Sequence, residues 1–360
     1  MTNFEINKSV QVGDTSNADL IRTTNILRDL GQNPIVTTEF SVEQNGILCG
    51  IDESLQLLQN ISQNPNVEIW SMREGDEIVK GDVIMRIKSP YSPFAIYQTA
   101  ISGILSSCSG WASAARECVS VSDDIPVVNF GASNIHPNIV GLMDYSSVIG
   151  GCSGCSSILG SRMNNQTPVG SMSDSLVLIQ GNVVDAASSI INKGDQNIPV
   201  VILVGVLGDE IEEAVRVASE FPIRGIRIEP PEGRGGLIPE LIVELREKLD
   251  QIGKEEIDIS INCDITPDEI GKLIDAEDIW LQSKASLNHE IDVEENEKIK
   301  SRRLIQVIGI GRFIASASPF KINAEIKEID GKLVSKRGII PGYIQNKRLE
   351  KVKIRKQVTH

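Results

Sequence analysis

Several groups of residues in this chain have the types and spacing to do chemistry. Arg227, Glu229 and Arg234 place guanidinium and carboxylate groups close together in RIEPPEGR. Arginines held in a scaffold salt bridge are the plain reading of this set. Gly309-Ile310-Gly311 ends an apolar run, and the guanidinium of Arg312 beside it could grip a phosphate. Cys152-Ser153-Gly154-Cys155 has the spacing of a redox pair or half a zinc site. It stands without a second pair in a glycine-rich apolar stretch, so small buried residues packing two elements closely is the better reading. Lys80 sits in the glycine-bounded segment EGDEIVKGDVIMRI, as the lysine of a lipoyl or biotinyl domain does. The flanking motif is missing, and a solvated hairpin lysine is expected. His136, beside Pro137, is expected to be a hydrogen-bonded loop residue rather than a catalytic one.

The elements that must position these residues fall into successive zones. The first hundred residues favour strands: Ile35 to Cys49, Val67 to Ser71, and the hairpin-like EGDEIVKGDVIMRI. Residues 97–120 carry small residues at helical spacing. Thereafter apolar runs alternate with helical patterns. Ile198 to Val204, Gly225 to Glu229, IDISIN and Leu304 to Gly311 read as buried parallel strands. DEIEEAVRVASEF and PELIVELREKLDQI read as helices, the second with Leu241, Leu245, Leu249 and Ile252 as its apolar stripe. Thr266-Pro267-Asp268-Glu269 has capping-box spacing, so a helix is expected to start there. Residues 283–303 are polar and are expected to form an insertion or loop. From Lys321 the pattern returns to strands. The end of the chain alternates Val352 and Ile354 with Lys351, Lys353 and Arg355, a half-buried strand with a basic outer face that protects an edge. A docking stripe for an acidic partner or RNA is its lesser reading. Alternating strands and helices imply an α/β barrel or a doubly wound sheet, and pattern alone does not choose.

Bulk properties exclude several classes. The chain has 360 residues, 41% hydrophobic and 23% charged, with a net charge of −14. That length suits two packed units, and that charge argues against whole-surface binding to nucleic acid or an anionic membrane. No apolar run reaches the ~20 residues of a membrane helix. The N-terminus MTNFEINKSV lacks the basic head and apolar segment of a signal peptide, and the six cysteines are scattered, so a cytoplasmic location is expected.

The framework from Val127 to Leu176 carries Phe130-Gly131, His136-Pro137, Gly150-Gly151, Pro168-Val169-Gly170 and Met172. Together with Arg22-Thr23, Thr99-Ala100, Ser109-Gly110, Arg227, Gly309-Ile310-Gly311 and Lys336-Arg337-Gly338, it resembles the nicotinate phosphoribosyltransferase family. That family joins nicotinate to the ribose of phosphoribosyl pyrophosphate, and the likeness runs from about residue 17 to residue 338. The resemblance implies an irregular parallel α/β barrel packed on an α+β sandwich-like domain built from both chain ends. The expected bounds are 1–120 for an N-terminal strand-rich domain with its connecting helix, 121–320 for the barrel, and 321–360 for strands returning to the first domain. It also implies a dimer whose sites borrow residues from the neighbour. Magnesium is implied if the chain is active. The cysteine-rich zinc tail of some family members is not expected, because no cysteine follows Cys263.

The polar positions depart from that family. Ser133 and Asn134 stand where it carries two arginines, Asp174 where it carries a His, Asp19 where an aromatic ring stacks on nicotinate, and Gln98 where it has a Glu. Gly205 replaces an Asp, and Glu229 lengthens one. Asn262-Cys263-Asp264 replaces a Ser-Gly-Gly phosphate turn. A carboxylate about 4 Å from a phosphate costs roughly 4 kcal/mol per charge pair at an effective dielectric near 20. Binding candidates that survive are Arg22, His136, Arg227, Arg234, Gly309, Gly311 and Arg312. The expectation is a family scaffold that no longer forms nicotinate mononucleotide and serves as a binding, regulatory or assembly subunit. It would act as a homodimer, with a homologue, or in a larger complex. The alternative is an active phosphoribosyltransferase of NAD biosynthesis, using nicotinate or another acceptor. In that case the acidic replacements would suit a cationic or neutral acceptor.

Overall fold

The computed structural model describes residues 4–59, 61–62, 64–195, 197–287, 303–339 and 341–352. The chain divides into two units. One comprises Met1–Ala114, Tyr145–Gly150 and Ala317–His360, the other Ala115–Asp144 and Gly151–Ser316.

In the first unit, helices α1 (Lys8–Gln11) and α2 (Ala18–Asp29) precede strand β1 (Ile35–Val42). The expected single strand from Ile35 to Cys49 is instead broken after Val42. Its end, β2 (Gly46–Ile47), turns away to pair with β4 (Glu77–Ile78). The EGDEIVKGDVIMRI segment is correspondingly not a hairpin. β3 (Glu68–Ser71) and β1 both pair with β5 (Val83–Pro90), whereas β4 belongs to another sheet. The turn at Lys80 explains this: Gly81 donates to the Val42 carbonyl at 2.8 Å, and Val79 to the Asp82 carboxylate at 3.0 Å, sending the flanking strands apart. Lys80 itself is exposed. Between them, α3 (Ile51–Leu58) is capped by Glu74, whose carboxylate accepts from Gly50 N–H at 2.7 Å and Asp52 N–H at 3.1 Å. Helix α4 (Tyr91–Ser120) starts before the expected residue 97. Pro93 falls in its first turn, where a missing N–H removes no helical bond.

The second unit is built on a parallel sheet of β6 (Val127–Asn129), β7 (Gly154–Cys155), β8 (Val201–Val204), β9 (Gly225–Ile228), β10 (Asp258–Asn262) and β11 (Val307–Ile310). Their order is β7-β6-β11-β10-β9-β8. Each strand from β8 to β10 pairs with its successor, and β11 returns to β6, the cyclic order of a barrel. Among the described residues the ladder is open between β7 and β8. β8 is shorter than the expected Ile198–Val204 run because Pro199 has no N–H to give a ladder.

Helices α5 (Val140–Ile149), α6 (Ile158–Met163), α7 (Asp174–Gln180) and α8 (Val183–Lys193) come before β8. α9 (Glu210–Glu220), α10 (Pro239–Gln251) and α11 (Pro267–Leu287) then alternate with strands, and α12 (Arg312–Ala315) follows β11. The outer faces of β9, β10 and β11 bury Ile226, Ile228, Ile259, Ile261, Ile308 and Ile310. Removing each from water stabilises the fold by roughly 1.5–3 kcal/mol.

Pro239 opens α10 as expected, but its buried stripe is Ile242, Leu245, Arg246 and Leu249. Ile252 lies past the helix end and is exposed. Arg246 is tolerated inside because Asp250 pairs with it at 2.9 Å and the Ile257 and Lys254 carbonyls accept its other N–H groups. At α11, Glu269 accepts from both the N–H and hydroxyl of Thr266 at 2.8 Å, so the expected start is found. Residues 283–287 continue this helix rather than looping out, and the rest of that stretch lies outside the described residues.

The chain then returns to the first unit as β12 (Ile322–Ile329), β13 (Lys332–Leu333) and β14 (Glu350–Lys351). They complete an antiparallel sheet in the order β13-β12-β1-β5-β3-β14. One face carries the core: Phe40 meets Phe94 of α4 edge-to-face at 6.4 Å, with Met85, Ile87 and Ile101 around them. Lys353, Ile354 and Arg355 of the expected basic strand lie outside the described residues, and Lys351 pairs with Glu68 at 2.6 Å. Cys152 and Cys155 are both buried, as are the other cysteines except Cys263, which is half-buried.

Candidate functional site at the ends of the parallel strands

Alternation along β9 and β10 builds the site. Ile226 and Ile228 face outward, so Arg227 and Glu229 point the other way, as Ser260 and Asn262 do on β10. Arg227, Ser260 and Asn262 line an inner cavity of about 120 Å³ with Phe130, Ser171 and Gln306. Arg227 spans it: its terminal nitrogens donate to the Ser171 hydroxyl and, at 2.9 Å, to the Met172 carbonyl. Its Nε lies 3.0 Å from Glu229 Oε1 but is not aligned for a hydrogen bond, so the contact is electrostatic. Burial pulls the Arg227 pKa down, and the charges of Glu229 and Asp174 oppose that.

A second cavity of about 480 Å³ opens beyond the ends of β9, β10 and β11. Glu229, Glu232, Asn262, Asp264, Glu269 and Arg312 are its polar lining. Asn262 donates to Glu229 at 2.7 Å. Asp264 Oδ2 lies 3.0 Å from Arg312 Nη2, while its Oδ1 accepts from the Arg312 backbone N–H at 3.2 Å. The same carboxylate therefore takes the backbone N–H of Arg312 and pairs with its guanidinium, the two groups expected to meet a phosphate. Burial pushes the Cys263 thiol up to about 12, helped by Glu229, Asp264 and Glu269, so it is no thiolate nucleophile at neutral pH. Gly309 is required here: a Cβ would come 2.9 Å from Asn262 Oδ1 and from the Phe130 ring.

The remaining expected residues sit around this mouth or apart from it. Ser133 and Asn134 end an exposed 3₁₀ turn, Gly131–Asn134, with Asn134 Oδ1 near Gly311. His136 is exposed and accepts from Asn138 N–H at 3.2 Å through Nδ1, capping the turn that Pro137 opens. Asp174 is the first residue of α7. Hydrogen bonds from Ser173 and then Ser175 hold its carboxyl below the usual range, with a smaller pull from Arg227. Gly205 adopts φ +82°, and a Cβ would come 2.5 Å from Glu210 Cγ, so the end of β8 accepts only glycine without rearrangement. Arg234 is tied to the buried Glu210 at 2.8 Å. In the first unit, Asp19 and Arg22 are exposed on α2, and Gln98 is half-buried on α4.

Sequence reasoning singled out Asp264 and Arg312 separately and missed that they pair, being 48 positions apart. It also missed Glu210 and Ser171. The acidic run after Asp209, a helix N-cap pattern, was the available signal for Glu210. The implied magnesium does not fit these residues: each mouth carboxylate except Glu232 is engaged by a cation or a donor. Among the described residues no three His, Cys, Asp or Glu side chains gather to hold a metal.

Comparison with known proteins agrees with this architecture. Residues 21–109 match the quinolinate phosphoribosyl transferase N-terminal domain. The structure is similar to the nicotinate-nucleotide pyrophosphorylase of Pyrococcus furiosus, with a TM-score of 0.82 and 27% identity over 99% of this chain and 88% of that one. This chain is a member of the type II phosphoribosyltransferase family. Family members with less sequence likeness share the fold. The Ehrlichia chaffeensis nicotinate-nucleotide pyrophosphorylase has a TM-score of 0.62 at 16% identity, covering 90% of this chain and 100% of that one. Human nicotinic acid phosphoribosyltransferase has a TM-score of 0.63 at 12% identity, covering 91% and 77%. Nicotinate phosphoribosyltransferase pncB2 of Mycobacterium tuberculosis is 24% identical over 213 residues, 58% of this chain and 45% of that protein. The chain thus spans about half the length of the curated relatives it matches. Among the described residues no helix is long and apolar enough to cross a membrane.

Proposed function

We propose that this type II phosphoribosyltransferase family member no longer forms nicotinate mononucleotide and acts as a binding, regulatory or assembly subunit. One observation carries this reading: Asp264 accepts from the backbone N–H of Arg312 and pairs with its guanidinium at the turn after β11. A 5′-phosphate approaching that turn meets a carboxylate on the Arg312 N–H. Arg227, Glu229 and Asn262 are likewise turned on their neighbours: Asn262 donates to Glu229, Glu229 pairs electrostatically with Arg227, and the terminal nitrogens of Arg227 go to Ser171 and Met172.

Partner binding suits the first unit. α2 buries none of its 12 residues. Ile26 and the following Leu30 are 59% and 64% exposed. Apolar residues on such a helix favour cover by a second copy or a homologue.

A second reading keeps the enzyme, transferring phosphoribose to nicotinate or another acceptor in NAD biosynthesis. The half-buried Arg227–Glu229 pair beside two adjoining cavities favours it. Incubating the chain with phosphoribosyl pyrophosphate, magnesium and nicotinate, and separating products by chromatography, decides between them. No nicotinate mononucleotide is expected; steady turnover would establish the second reading.

A further inference from the structure

We propose that Asp264 sets the charge class of ligand that the mouth of the parallel sheet accepts, by standing as a resident anion on Arg312. This rests on the proposed loss of the phosphate contact at the turn after β11. The Asp264 carboxylate accepts from the Arg312 backbone N–H at 3.2 Å and lies 3.0 Å from its guanidinium as an ion pair. A phosphate oxygen pair would make that two-point contact with the same donors. Arg312 is the cation among the described residues lining the 480 Å³ cavity, and Glu229, Glu232 and Glu269 face the same space. With Asp264 in place, no positive charge there is left unneutralised, and a phosphomonoester entering the cavity meets net repulsion. Nothing rigid holds the pair shut: both side chains reach solvent, at 64% and 37% exposure. Exposed pairs of this kind are weak. Removing the carboxylate thus frees Arg312 without dismantling the core. Glu229 and Glu269 stay neutralised or hydrogen-bonded by Arg227, Asn262 and Thr266.

The test is titration of inorganic phosphate into the full chain at fixed ionic strength, read by calorimetry. It compares the parent, Asp264→Asn, Asp264→Ser, and Asp264→Asn combined with Arg312→Gln. Both single variants are expected to bind phosphate at least tenfold more tightly than the parent, and the added Arg312→Gln change to remove the gain. Two different replacements guard against one failing to fold, and melting curves identify a variant that has. A parent that already binds phosphate as tightly as the variants overturns the proposal. So does the absence of a gain in a folded variant, or a gain that survives loss of Arg312. These outcomes are separable from the functional reading, which fails on product formation by the parent chain, whereas the phosphate series bears on Asp264 alone.

Discussion

At the residue scale, buried carboxyl groups show how environment overrides intrinsic chemistry. Glu53, in the first turn of α3, is pushed from 4.5 up to about 7 by burial, and then by the charge of Glu74. Its Oε2 has no hydrogen-bond partner. Because the folded value lies above the unfolded one, the contribution of neutral Glu53 is full below about 4.5. It falls as pH rises toward about 7 and is gone above that. The gap corresponds to roughly 3 kcal/mol. Glu53→Gln, neutral throughout, is expected to melt near the parent at pH 5 and to be more stable at pH 8 by about 1–3 kcal/mol. An equal offset at both pH values in denaturant titrations would refute this. The identities of Asp174, Asp264 and Arg312 were legible in the sequence as departures from a family pattern. The Asp264–Arg312 contact was not, because it joins the ends of two strands that only the folded sheet brings together.

Elements were legible where a local rule decides them. Thr266 and Glu269 announced α11, and the two hydrogen bonds between them are present. Removing the hydroxyl with Thr266→Ala is expected to cost about 1 kcal/mol, measured by urea unfolding. A loss below experimental error would mean that the Thr266 N–H bond to Glu269 suffices. Elements were misread where tertiary pairing decides. β4 looked like the mate of β5, yet a short strand pairs wherever an open edge lies, and that edge is β2. In α10 the 3.6-residue period was clear, but the centre of the buried stripe fell on Ile242 and Arg246. Arg246 is buried only because carbonyls beyond the helix accept from it, which no window of sequence around it reveals.

For the whole molecule, two units drawn from interleaved segments follow from strands that return to the first sheet after the parallel one is complete. In the proposed reading, the exposed apolar residues Ile26 and Leu30 at α2 are covered by a partner. Sedimentation of the parent is expected to show a dimer, and Ile26→Glu with Leu30→Glu to weaken it at least tenfold, a typical penalty for a buried charge at an interface. A parent that sediments as a monomer at on the order of 100 μM would leave a heteromeric partner to be found.

In the proposed function the mouth of the parallel sheet no longer receives the phosphoribosyl donor. Calorimetric titration of the full chain with phosphoribosyl pyrophosphate and magnesium, with and without nicotinate, tests it most directly. No saturable heat is predicted up to donor concentrations on the order of 1 mM. Saturable binding at micromolar donor, tightened by nicotinate, would contradict the account and restore the chain to the working enzymes of its family.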